Sequence, residues 1–136
     1  MTDTPSVAGE MITVVLVEDN DVFRESLELL LGVVPDLEVV AAVPDGRSAL
    51  KVCPHLRPDV VVMDYRLPEL DGVETTAAIG EACPTTAVVV LTATAESEEI
   101  DALYEAGAVA CLTKDRELDE IVGAVRDAAG RGAALR

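Results

Sequence analysis

Polar residues collect at the ends of four apolar runs. Glu18 and Asp19 follow ITVVLV (12–17), Asp64 follows DVVVM (59–63), Thr92 closes TAVVVLT (86–92), and Lys114 comes just after AVACL (108–112). In an open parallel sheet, ligands bind beyond the carboxyl ends of the strands, so all five side chains would converge on one edge. Three carboxylates drawn together repel, and each tends to keep a proton unless a cation shares the site. An oxygen-only set without Cys or His points to Mg²⁺, which keeps several waters and uses a few carboxylates together with a phosphate. The hydroxyl of Thr92 and the point charge of Lys114 suit the equatorial oxygens of a phosphoryl group in transfer. An aspartate is also a competent covalent nucleophile for phosphate. The chemistry indicated is phosphoryl transfer onto an aspartate with Mg²⁺ assistance.

That convergence requires a particular set of elements. Five β-branched runs, 12–17, 37–43, 59–63, 86–92 and 108–112, alternate with helical patterns, the signature of an α/β fold with a five-stranded parallel sheet and helices on both faces. Phe23, Leu27, Leu30 and Leu31 follow a helical period after the first run; Ala49, Leu50, Cys53 and Leu56 do so after the second, with Pro54 and Pro58 expected to close that helix. The third crossover carries Val73, Ala77 and Ile79, and Pro84 stops it. The fourth begins at Glu96, Glu98 and Glu99, where carboxylates meet a helix N-terminal dipole, has a thin apolar stripe, and ends at Gly107 as a C-cap. In the last helix Leu118, Ile121, Val122, Val125 and Ala129 form one apolar stripe, with Arg126 and Arg131 toward its C-terminal end.

At 136 residues the chain has the size of one domain. Its only aromatic residues are Phe23, Tyr65 and Tyr104, so the core must be aliphatic and a stacking surface for bases or flavin is excluded. The net charge of −16 and a pI near 4.1 disfavour direct binding to nucleic acid or anionic membrane, which need clustered cations. Cys53, Cys83 and Cys111 show no metal-ligand spacing and follow no export signal, which points to a reducing cytoplasm. Residues 1–10 read as a disordered tail, 11–131 as the folded domain, and 132–136 as the start of a linker.

The sequence resembles the receiver domain of bacterial two-component response regulators, through VLVEDN (15–20), VVMDYRLPELDG (61–72), VVLTATA (89–95) and GAVACLTKD (107–115). The resemblance implies a flavodoxin-like doubly wound sheet of strand order 2-1-3-4-5 with five helices. It implies Asp64 as phosphoacceptor from a sensor histidine kinase. Glu18, Asp19, Asp64 and the backbone carbonyl of Arg66 would hold Mg²⁺, Thr92 would hydrogen-bond the phosphoryl group, and Lys114 would pair with it. Self-catalysed phosphorylation and autodephosphorylation are implied, with Arg66 and Thr94 placed where phosphate lifetime is tuned. DYRLPELDG and AVRDAAGRGAAL look most like the NarL/LuxR-type branch, whose receivers can pair with one another and control transcription through a DNA-binding domain that these 136 residues do not include.

Two positions depart from the family. Glu18 stands where aspartate is commoner, and Cys111 occupies the place of the aromatic switch residue that moves with Thr92. Cys111 reads as a small hydrophobe, with redox sensing as the sharper alternative. Other functions fit less well. A flavodoxin-like electron carrier needs a phosphate loop after the first strand, and an aspartate-nucleophile phosphohydrolase needs a second Asp where Arg66 stands. A pseudo-receiver that binds partners without phosphorylation is the remaining alternative. His55 has no role.

Overall fold

The computed structural model describes residues 11–93 and 96–134, with side chains through Gly130. The expected tail 1–10, Thr94, the Arg131 side chain, and residues 135–136 of the expected linker lie outside the described residues. Strands and helices alternate as β1 (Ile12–Val17), α1 (Asp21–Gly32), β2 (Leu37–Val43), α2 (Gly46–Leu56), β3 (Val60–Asp64), α3 (Gly72–Ala82), β4 (Ala87–Thr92), α4 (Ser97–Ala106), β5 (Ala110–Thr113) and α5 (Leu118–Ala134). The strands form one sheet in the order β2-β1-β3-β4-β5, and every pairing is parallel. This is the expected doubly wound architecture, with five helices as crossovers and closing helix.

Period-two alternation divides the central strands between two cores. Val14, Leu16, Val60, Val62, Val89 and Leu91 face α1 and α5, where Leu27, Leu31, Ile121, Val122 and Val125 meet them. Val15, Val17, Val61, Met63, Val88 and Val90 face α2, α3 and α4, against Ala49, Cys53, Ile79 and Leu103. A strand buried on both faces has no polar alternation to show, which is why β1, β3 and β4 read as continuous apolar runs.

Several boundaries and facings differ from the sequence reading. β3 starts at Val60, because Asp59 is occupied below the sheet: its Oδ2 accepts from the Thr13 N–H and hydroxyl at 2.9 and 3.2 Å. Asp64 is therefore the last residue of β3 rather than the residue after it. β5 begins at Ala110, two residues later than expected, because Gly107 adopts φ 119° and the Ala108 N–H is still bonded to the Leu103 carbonyl. Pro54 lies inside α2, where the loss of one N–H in the final turn is tolerated, and Arg57 ends the helix in a left-handed conformation.

Leu30 and Leu56 are exposed, not on the buried stripes, because Leu27 and Leu31 already fill the sheet-facing side of α1 and Cys53 that of α2. In α3 the buried side chains are Thr75, Thr76 and Ile79, while Ala77 faces out. Tight helix packing selected small residues there, which blurred the period. α5 continues through Ala134, three residues past the sequence-based boundary.

The cysteines are free, with Cys53 and Cys83 buried and Cys111 half-buried. Burial pushes the Cys53 thiol up to about 12, with the neighbouring Cys83 adding to it, so it is an inert core residue. Among the described residues no helix is long and apolar enough to cross a membrane.

Leu103 is the one buried side chain of α4, fully enclosed against the sheet. Leu103→Ala is expected to cost about 2–5 kcal/mol in urea unfolding. A loss below about 1 kcal/mol, the scale of an ordinary single mutation, would mean that α4 is held by something else.

Candidate functional site

The register of the sheet sets the floor of the site. Val17 pairs with Met63, Asp64 with Leu91, and Thr92 with Thr113, so the ends of β1, β3, β4 and β5 step across one edge. Glu18 leaves β1 level with Asp64, and Lys114 leaves β5 one residue beyond Thr92. The Lys114 N–H donates to the Thr92 carbonyl at 2.8 Å and extends the ladder by one bond. Glu18, Asp19, Asp64 and Lys114 come together at this edge, and Thr92 lies at the adjoining end of β4. Glu18, Asp64 and Thr92 are buried, Lys114 is half-buried, and Asp19 is exposed.

One carboxylate oxygen from each of Glu18, Asp19 and Asp64 can be chosen so that all three lie within 4.8 Å of one another. Lys114 Nζ stands 2.8 Å from Glu18 Oε1 and 3.4 Å from Asp64 Oδ2, so one ammonium bridges the two buried acids. The longer arm of Glu18 makes the shorter of the two contacts. Its Oε2 accepts the Asn20 N–H at 2.9 Å, and its backbone carbonyl accepts from Arg24 Nη1 at 2.8 Å. Asn20 in turn caps α1 by accepting the Phe23 N–H at 2.9 Å. The acidic pair is therefore fixed by the start of the helix that follows it.

The electrostatics record the crowding of negative charge. Burial, followed by the charge of Glu18, raises the Asp64 pKa, against the opposing pull of Lys114 and the Arg66 N–H. Burial also draws Lys114 down, but its hydrogen bond to Glu18 and the charges of Asp64 and Glu18 outweigh that and raise it. The donor set is all oxygen, partly enclosed and short of positive charge. These properties fit a hard divalent cation such as Mg²⁺.

The loop after β3 is held close to the acid. The Arg66 N–H reaches Asp64 Oδ1 at 3.3 Å, while the Arg66 side chain is exposed. The Gly72 N–H donates to the Tyr65 carbonyl at 2.9 Å, and a Cβ on Gly72 would sit 2.9 Å from Tyr65 Cα and O. Only glycine lets the chain close there before the Asp71–Glu74 capping box starts α3.

Cys111 lies outside the acidic cluster. Its N–H donates to the Tyr104 hydroxyl at 3.2 Å, so a ring from α4 reaches the position where the family carries its own. Burial raises the Cys111 thiol, and the bond to Tyr104 opposes this. Sequence reasoning missed Tyr104, and the contact spans an element boundary that no local pattern encodes. It also placed Phe23 in the core alone, whereas Lys114 Nζ stands 4.5 Å from the Phe23 ring centroid. Sequence reasoning also missed the Asn20 cap, for which the preference for Asn before a helix is the signal. His55 is exposed at the far end of α2.

Sheet order and the acidic edge at its carboxyl end define a doubly wound α/β module, and comparison with known proteins gives its family. The family model for the response regulator receiver domain matches residues 14–126, and the chain belongs to that family. It is 38% identical over 115 residues to the transcriptional regulatory protein LnrK of Bacillus subtilis, covering 85% of this chain and 52% of LnrK. It is 43% identical over 106 residues to a protein-glutamate methylesterase/protein-glutamine glutaminase of Syntrophus aciditrophicus, covering 76% of this chain and 30% of that protein. The chain thus spans about half or less of the length of these curated relatives.

Among solved structures, the receiver domain of the putative response regulator NarL from Mycobacterium tuberculosis superposes with a TM-score of 0.84 at 34% identity. That superposition covers 89% of this chain and 98% of the other. The regulators among the relatives are consistent with the NarL/LuxR branch.

The raised Asp64 pKa has a stability consequence with a definite sign. Its folded form holds a proton more tightly than the unfolded chain does. Stability from this group is therefore greatest below the unfolded pKa of 3.8 and is lost as pH rises from there through the raised folded value. At pH 7, in a chelator, Asp64→Asn is expected to unfold at higher urea than wild type, with the gap closing below pH 3.8. Added Mg²⁺ should raise the wild-type midpoint more than the variant's. A variant less stable than wild type at pH 7 would show that the Lys114 contact outweighs burial and Glu18.

Proposed function

We infer that residues 11–131 act as a receiver that takes a phosphoryl group from a sensor histidine kinase onto Asp64. The observation that carries this reading is the juxtaposition of Glu18, Asp19, Asp64 and Lys114 at one sheet edge, with Thr92 beside them. Asp64 is the only one of the three acids that lies within a strand, as the last residue of β3, whereas Glu18 and Asp19 follow the end of β1. An Oδ of its ionised carboxylate attacks phosphorus as the bond from phosphorus to the donor histidine nitrogen breaks, and the electron pair of that bond stays with the imidazole. The product is an aspartyl phosphate, and hydrolysis by water returns the carboxylate and inorganic phosphate.

Each neighbour has a distinct part. Lys114 bridges Glu18 and Asp64 before transfer, and its ammonium pairs with the phosphoryl oxygens that arrive on Asp64. Thr92 would donate its hydroxyl to one of those oxygens. Glu18, Asp19 and Asp64, with the backbone carbonyl of Arg66, would hold Mg²⁺. That ion supplies charge neutralisation for the carboxylates and the incoming phosphate.

The outcome of phosphorylation is proposed to reach α4 and β5 through Thr92 and the Cys111–Tyr104 contact. The output is proposed to be transcription through a DNA-binding domain beyond these 136 residues, with a receiver homodimer as a partner state and the cytoplasm as the compartment. The receiver itself makes no direct nucleic-acid or membrane contact in this reading.

Wild-type protein incubated with Mg²⁺ and a small phosphodonor is expected to gain one phosphoryl group by intact mass. Chelation should abolish the gain, as should Asp64→Asn. Lys114→Ala should slow it by about 10²-fold or more, on the scale of removing one preorganised charge from a transition state. No gain in wild type, or equal gain in Asp64→Asn, defeats the assignment and favours a phosphorylation-independent interaction module.

A further inference from the structure

Phe23 is the only phenylalanine in the chain, in a molecule whose cores are built mainly from Val, Leu, Ile and Ala with Met63, Cys53 and Cys83. It heads the buried stripe of α1, four and eight residues before Leu27 and Leu31, which are packed on the sheet. The Asn20 cap fixes its backbone at the first turn of the helix, and side chains on a helix lean toward the N-terminus. That lean leaves the ring packed on the margin of the core and brings it up to the site edge. A leucine would continue the stripe equally well, so the apolar packing alone does not call for an aromatic residue.

The ring meets the Lys114 ammonium at 4.5 Å from its centroid, within the range in which a cation is attracted to the negative face of an aromatic ring. An ammonium has three N–H groups. Two directions are taken by Glu18 at 2.8 Å and Asp64 at 3.4 Å, and the ring lies against a third side. Lysine carries its charge on a flexible four-carbon stem, and Lys114 keeps a quarter of its side chain exposed, next to the exposed acids Asp115 and Glu117. Among the described residues, the ring is the contact on this ammonium that does not itself bind phosphate or cation.

We propose that Phe23 is a positioning residue for Lys114, its ring holding the ammonium over the acid edge so that it stays aimed at Asp64 when Glu18 turns to other partners. The role rests on the phosphoacceptor reading of Asp64, but the ring–ammonium contact exists independently of it. Arg24, the next residue, holds the Glu18 carbonyl at 2.8 Å. The first turn of α1 therefore positions both partners of the Lys114–Glu18 pair.

The test compares Phe23→Leu, which keeps apolar volume, with Phe23→Tyr, which keeps the ring, in the full chain. In the metal-free protein, the ε-methylene NMR signal of Lys114, assigned by its loss in Lys114→Ala, should lie upfield in wild type and Phe23→Tyr. In Phe23→Leu it should return to the ordinary lysine position. Phosphoryl uptake from a small phosphodonor should slow about three- to tenfold in Phe23→Leu and stay within about twofold of wild type in Phe23→Tyr. On a Lys114→Ala background, Phe23→Leu should slow uptake no further, because a positioning role vanishes with the group positioned.

An ordinary Lys114 signal in wild type, or a signal unmoved by Phe23→Leu, overturns the proposal. So does Phe23→Tyr failing as Phe23→Leu does, or equal slowing on the Lys114→Ala background, which would assign Phe23 to packing alone. If wild type takes up no phosphoryl group, the phosphoacceptor reading fails, while the NMR comparison still decides whether the ring holds the ammonium.

Discussion

Two buried carboxylates share one ammonium at the crest of the sheet, and much of the surrounding structure serves to hold that arrangement. Glu18 and Asp64 are nearly inaccessible, and each is a neighbour of the other's charge. Such a pair is costly unless cations and N–H donors face it. The protein supplies Lys114 from β5, the Asn20 N–H from the start of α1, and the Arg66 N–H from the loop after β3. Even so, the Asp64 pKa remains raised, so the compensation is incomplete. That shortfall is what makes the edge receptive to a divalent cation.

The aliphatic sheet makes the shortfall possible. Three central strands buried on both faces form a stiff floor, and their fixed register brings side chains from four separate chain segments to one edge without any long loop. Interdigitated Val and Leu side chains resist displacement, so the charges cannot relax by moving apart. The helices contribute where their first turns begin. α1 orders the acidic pair through Asn20 and Arg24, and the capping box of α3, with Gly72 against Tyr65, closes the loop that follows Asp64.

Much of this was legible in the chain because it depends on local order and strand direction. Once the runs are read as parallel strands, Glu18, Asp19, Asp64, Thr92 and Lys114 fall at one sheet edge, and the first three and Lys114 lie within reach of one another there. What escaped the sequence depends on facing and on contacts between distant elements. Leu30 and Leu56 fit a helical period yet point to solvent, because the period tolerates a stripe wider than the surface available to cover it. Thr75 and Thr76 look polar yet are buried, since a threonine methyl packs well where α3 lies close to its neighbours. Tyr104 reaching Cys111 across α4 and β5, and Phe23 under Lys114, have no signature in spacing at all.

The scarcity of aromatic residues takes on a physical meaning once they are located. Phe23 lies against Lys114, the Tyr65 hydroxyl bonds Glu99 in the first turn of α4, and Tyr104 accepts from Cys111 on the edge strand. Phe23 and Tyr65 stand beside the acid edge, and Tyr104 joins α4 to β5 away from it. Aliphatic side chains stabilise the layers without regard to small shifts in angle. A ring bearing a hydroxyl or facing a cation responds to direction as well as distance. Tyr65 directly follows Asp64, so the residue next to the acid is the one that contacts α4. Relatives with a transcriptional regulator's name and with a methylesterase's name share this receiver at similar identity. Matches to this one domain thus occur in proteins of different names, and in this chain the directional contacts of the rings join separate elements while the aliphatic side chains fill the layers.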